Sequence, residues 1–177
     1  LITAFFFRPI FRGLVPIPFD IMAGAYYPWM DDKWGFSVGV PVKNPSVTDA
    51  FSQLYPWRVL SMDAWRNGEV PLWNPFSFSG TPLLANWQSA PFYPLNLLML
   101  LFGNIWGWSA MIVLQPMLAM MFMYLYLRKI KLGKAGSFLG ATTFAFGGFM
   151  TNYLEYATAG QIFLWLPLLL WIWEKYF

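Results

Sequence analysis

A basic stretch, Arg128-Lys129-Ile130-Lys131-Leu132-Gly133-Lys134, separates two long runs that carry no charge, residues 109–127 and 135–154. The first run is close to the length a helix needs to span a hydrocarbon core, roughly 20 residues. Short loops rich in Lys and Arg stay on the cytoplasmic face of a membrane. With this loop inside, residues 8 to about 93 lie outside, and they contain six of the eight carboxylates. Any chemistry is therefore expected at the outer face of a cell membrane that the chain crosses several times.

Composition narrows the options. Apolar residues make up 58% of the chain and charged ones 11%, where soluble domains average about 25% charged. The net charge of +3 does not point to nucleic acid, because four of the positive charges sit in that one loop. Residues 8–93 carry six basic and six acidic side chains and are neutral, so no nucleic-acid partner is expected. Without Cys there is no disulfide scaffold and no thiol chemistry. Without His, metal binding and proton transfer fall to carboxylates.

The pattern predicts an all-α polytopic membrane protein fragment, with transmembrane helices and a large irregular outer loop bearing short interfacial helices. Residues 1–7 read as the end of a first transmembrane helix, and both chain ends as the interior of a longer protein. Residues 8–94 form the extracytoplasmic loop expected to carry the active site; they hold twelve of the fourteen prolines, which rules out long regular helices. Short ones are expected after Asp20 up to about Tyr26, from the capping-box pattern Ser46-Val47-Thr48-Asp49 to Tyr55, and over residues 57–67. Residues 71–94 are too broken by proline for more than turns. Within 95–177, residues 95–102 are too short to span and should lie in the interface, with Trp106 and Trp108 as anchors. Three spans follow at about 107–127, 135–154 and 162–174. The middle one offers Gly136, Gly140, Gly147 and Gly148 for close helix contact, and the last tolerates Pro167 as a kink.

Two segments of the outer loop echo each other. Asp20 precedes Tyr26 as Asp49 precedes Tyr55, by six residues, and each segment closes with Tyr-Pro-Trp. Two carboxylates beside aromatic platforms suit sugar chemistry, one deprotonating an acceptor hydroxyl and the other orienting a group or a divalent cation, for which Asp49 is the candidate. Both acids also fit helix caps. Arg58 and Arg66, eight residues apart and roughly on one face of the same helix, suit a lipid phosphate, or else face lipid headgroups or Asp63 and Glu69. Asn74, Asn86 and Gln88 suit sugar hydroxyls or the closing of turns. Glu155, at the outer end of the second full span, is a functional candidate by its position near membrane helices, or a solvated loop carboxylate.

The run from Asp49 through Tyr55-Pro56-Trp57, the block Asn67-Gly68-Glu69-Val70-Pro71-Leu72-Trp73-Asn74-Pro75, and the stretch from Gly80-Thr81-Pro82 through Ala90-Pro91-Phe92-Tyr93-Pro94-Leu95-Asn96 resemble YfhO-type bacterial integral membrane proteins. Gly147-Gly148-Phe149 and Trp165-Leu166-Pro167-Leu168 are similar as well. The resemblance covers nearly the whole chain. It implies a glycosyltransferase of the C-type architecture, which takes a sugar from a polyprenyl-phosphate carrier and passes it to a cell-envelope acceptor outside the cytoplasm. An acid just after the first membrane helix then serves as base, which maps onto Asp20, with Asp49 as the second acid. A lipid-linked donor suits the outer location, where nucleotide sugars are absent. The alternatives are a polytopic transporter, which needs polar groups at mid-membrane and broken helices, and a non-catalytic membrane assembly protein.

Overall fold

The computed structural model describes residues 1–177, and the chain is mostly helical. It divides into two compact units, Pro16–Trp108 and a second made of Leu1–Val15 with Ser109–Phe177. Leu1–Val15 contains the short helix α1 (Ile2–Phe6).

The Pro16–Trp108 unit opens with α2 (Phe19–Ala25). Its helix does not start at Asp20: Pro18 takes the cap position and Asp20 lies in the first turn. The next helical stretch begins with a tight turn at Pro45–Val47, capped by Asn44, whose Oδ1 accepts from the Ser46 N–H at 3.1 Å. The capping box expected at Ser46 is therefore displaced to Asn44. A π-helical segment, Ala50–Leu54, then runs straight into α3 (Tyr55–Arg66). Two separate helices had been expected here, divided at Pro56. The chain stays helical because the Tyr55 N–H reaches back five residues to the Ala50 carbonyl, and the wider turn admits a proline that has no N–H to give.

Beyond α3, a two-residue antiparallel pair forms between β1 (Trp73–Asn74) and β2 (Thr81–Pro82), with Trp73 opposite Pro82 and Asn74 opposite Thr81. The helix α4 (Leu97–Phe102) follows and ends at Gly103. The core contains Ile21, Leu54, Met62, Leu83, Met99 and Trp108, each exposed by 2% or less. Burial of such side chains contributes about 1.5–3 kcal/mol each, against a backbone ordering cost of about 1–2 kcal/mol per residue. The many prolines lower that cost by restricting the unfolded chain. Trp108, expected as an interfacial anchor, is instead a core residue, while Trp106 is exposed.

The long helix α5 (Asn104–Lys129) begins at the end of this unit and continues as the backbone of the other. It alone is long and apolar enough to cross a membrane. The expected span 135–154 is divided into α6 (Lys134–Phe146) and α7 (Gly148–Asn152). At the break Gly147 is extended, and a Cβ there would lie 2.7 Å from the Thr143 carbonyl oxygen. The expected span 162–174 is likewise divided, into α8 (Ala159–Phe163) and α9 (Leu166–Tyr176). Pro167 does not kink a continuous helix; it occupies the first turn of α9, where a missing N–H costs nothing. Ala119, Phe122, Ala145, Met150 and Leu164 form the core of this unit.

Candidate functional site

Asp20 is held by a contact that local sequence does not announce. Its Oδ2 accepts from the Lys43 backbone N–H at 2.9 Å, across 23 residues. The 40–43 segment runs past α2 closely enough that a Cβ on Gly24 would lie 2.4 Å from the Val40 carbonyl oxygen. The carboxylate thus has one oxygen fixed by a neutral donor, a geometry suited to orienting a base. Asp49 has a different partner. It accepts from Gln53 Nε2 at 3.1 Å, one turn along its own helix, and makes no cap hydrogen bond.

Two ring contacts fix how these acids stand to each other. Phe19 meets Tyr55 edge-on at 5.8 Å, and Tyr26 meets Phe51 at 5.5 Å. The two segments therefore run antiparallel, with Asp20 near the Tyr55 end and Asp49 beyond the Phe51 end. From Tyr55 to Asp49 the helical rise alone is on the order of 9 Å. The echo in sequence does not bring the two carboxylates to one point. No group of three or more carboxylates gathers to hold a metal ion.

Arg58 is 2% exposed. Its Nη1 donates to Asn96 Oδ1 at 3.4 Å, and its guanidinium lies over the Trp108 ring at 5.4 Å. Tyr55 packs edge-on to the same Trp108 ring at 5.3 Å. Asn96 in turn donates to the Ala90 carbonyl at 2.6 Å. Burial pushes the guanidinium down to about 10, with the Tyr93 phenol opposing the shift, so Arg58 stays charged at neutral pH. Arg66 is turned elsewhere. It donates to Asp63 Oδ1 at 2.5 Å, to Asn104 Oδ1 at 2.8 Å and to the Met99 carbonyl at 2.5 Å. Eight residues on a helix leave a residual rotation of about 80°, so the two arginines do not share a face. Arg58 ties α3 to the 90–96 turn and Trp108, closed off from any lipid phosphate at the surface. Arg66 ties the end of α3 to α4 and the start of α5.

The amides close turns. Asn74 is 3% exposed; it donates to Ser77 Oγ at 2.9 Å and accepts from the Phe76 N–H at 2.9 Å. Asn86 Oδ1 accepts from the Gln88 N–H at 3.1 Å, and the Gln88 side chain is at the surface. Glu155 lies exposed between α7 and α8, in the other unit.

That unit contains polar groups not singled out from sequence. Gln115 and Gln161 are 0% and 1% exposed. Gln115 Nε2 donates to the Met150 carbonyl at 3.3 Å, and Gln161 Nε2 donates to the Met111 carbonyl at 3.1 Å. Pro116 removes the N–H that would bond the Ile112 carbonyl in α5, and Gln161 serves the neighbouring carbonyl. The signal available in sequence was the presence of a glutamine inside each apolar run. No family model, curated protein or solved structure matches this chain.

Proposed function

We propose that this chain is the outer loop and adjoining helices of a polytopic membrane glycosyltransferase that moves a sugar from a polyprenyl-phosphate carrier to an extracytoplasmic, cell-envelope acceptor. Asp20 carries the proposal. It stands in the first turn of α2, the first α-helix after α1, with its carboxylate oriented by the Lys43 N–H. Asp20 takes the acceptor proton as the hydroxyl attacks the anomeric carbon, and the carrier phosphate leaves. The Asn67–Pro75 block and its resemblance to YfhO-type proteins support this reading.

In this proposal α5, α6–α7 and α8–α9 each cross the bilayer. Residues 134–152 and 159–176 would each reach roughly 27 Å at 1.5 Å per residue if the two halves of each arm run in line, and the basic loop between α5 and α6 is cytoplasmic. Support for a membrane setting also comes from the loop unit. No charged residue occurs from 70 to 127, yet Phe76, Phe78, Trp87 and Phe92 are exposed by 70% or more. Aromatic tips without charge suit the headgroup region better than water.

The experiment is Asp20→Asn in the full-length protein, assayed by transfer of labelled sugar from a polyprenyl-phosphate donor in membranes. Asn keeps the shape and the hydrogen bond from Lys43 but not the basicity. Transfer should fall by about 10²–10⁴-fold; normal turnover by a well-expressed variant removes the base assignment.

A solute carrier is the second reading, favoured by one observation: two interrupted helical arms with Gln115 and Gln161 buried beside them. Under it, Gln161→Leu stops solute movement and Asp20→Asn does not.

A further inference from the structure

Along α3 the Pro16–Trp108 unit has a groove away from Asp20. Two compartments of about 350 and 370 Å³ lie side by side between α3 and the 69–77 segment, sharing Leu60, Asp63 and Phe76 as walls. Each is in the size range of small-molecule sites. Trp57 lines one and Trp73 the other, with Ser77 in the first and Glu69 in the second. The Trp73 indole is pinned from one side: a Cβ on Gly80 would lie 2.5–2.7 Å from its ring atoms. Asn74, buried at the floor, holds Ser77 Oγ at 2.9 Å.

The chemistry of this lining selects a ligand class. A phosphate or carboxylate would face Asp63 and Glu69 with no cation in the wall, since Arg66 lies outside the groove and is engaged by Asp63 at 2.5 Å. A wholly apolar ligand would strip water from Glu69, and from the Asp63 oxygen that Arg66 does not hold, without return. A polyhydroxylated ring satisfies every element: its hydroxyls donate to the carboxylates, and its C–H faces lie on indole and phenyl. Two adjoining compartments give room for more than one sugar ring.

We propose that this groove is a saccharide-binding site, seating a neutral oligosaccharide of at least two rings across Asp63. The inference deepens the transferase reading by naming where the acceptor lies, and it rests on that reading for the word acceptor; saccharide binding does not. The test uses the full-length protein in nanodiscs and saturation-transfer NMR, with chitotriose, cellotriose and maltotriose as probes. At least one should give a signal. The signal should fall tenfold or more in Glu69→Gln and in Trp73→Ala, both exposed positions, and survive in Phe78→Ala, a fully exposed residue outside the groove. It should also survive in Asp20→Asn, so that loss of catalysis and loss of binding are separate results. Absence of signal from all three probes overturns the proposal, as does a signal indifferent to Glu69→Gln and Trp73→Ala. Abolished transfer in Asp20→Asn beside a silent groove overturns the groove alone.

Discussion

Gly160→Ala tests the packing that fixes Gln115. A Cβ on Gly160 would stand 2.4 Å from Gln115 Nε2 and 2.8 Å from its Cδ and Oε1, where ordinary contact is 3.4–4 Å. The amide must retreat by about 1 Å or give up its place, and Gln115 is fully buried. Overpacking of this kind costs about 1–3 kcal/mol, and loss of the 3.3 Å bond to the Met150 carbonyl adds about 0.5–1.5 kcal/mol. The sum, about 1.5–4.5 kcal/mol, should appear in denaturant unfolding of the full-length protein in mixed micelles. Two other glycines bracket it. Gly107→Ala meets the Met99 backbone, Cα at 2.3 Å and N at 2.4 Å, which no rotamer change relieves, so it should cost more. Gly148→Ala meets nothing within 4 Å in the first position of α7, and should be neutral or stabilising by up to about 1 kcal/mol. The double variant Gly160→Ala, Gln115→Ala completes the cycle. Removing the amide removes the clash, so the two costs should fall short of additivity by about 1–3 kcal/mol. Strict additivity, or a Gly160→Ala variant as stable as the parent, would refute this account of the Gln115 site.

Tyr55 supplies a pH prediction. Burial, and after it the charge of Asp63, push its phenol above the ordinary 10.0. The folded state then holds a proton that the unfolded state has released, so the contribution to stability is whole below pH 10 and is lost as pH climbs through the folded-state value. A tyrosinate difference titration between the parent and Tyr55→Phe should show this, and Asp63→Asn should move it only part of the way back, because burial is the larger cause; titration at or below 10 counts against it. For topology, a Cys at Ser79 should react with an impermeant maleimide in intact cells, and one at Gly133 only after permeabilisation. The reversed pattern ends the outward placement of the loop.

The parts legible in sequence are those that local chemistry decides. α5 follows from an uncharged apolar run of membrane length ending in Arg128 and Lys129, and the turns at Asn74 and Asn86 follow from amides that bond their own backbone two residues on. The parts that were not legible depend on distant groups. Arg58 reads as a surface cation until Trp108 and Asn96, some 40 to 50 residues later, close over it. Asp20 reads as a cap because the Lys43 N–H that holds it is 23 residues away. Pro56 reads as a terminator, yet buried Ala50, Phe51 and Leu54 before it and Met62 after it hold the chain in one helix, and the backbone widens to fit. The breaks in the two later arms follow the same logic. Gly147 looked like a contact surface for a neighbouring helix; it is the point where the chain leaves α6, with the Thr143 carbonyl against it and Met150 beyond it bonded to Gln115. A glutamine in an apolar run demands partners, because an unpaired amide in such surroundings costs several kcal/mol. An interrupted helix supplies them, since its freed carbonyls need donors. Gln115 bonded at the Met150 carbonyl of α7 is that exchange; Gln161 instead bonds the Met111 carbonyl of α5, which runs unbroken through Pro116, so in a chain of this kind an isolated glutamine between apolar residues is grounds for expecting another helix packed against it.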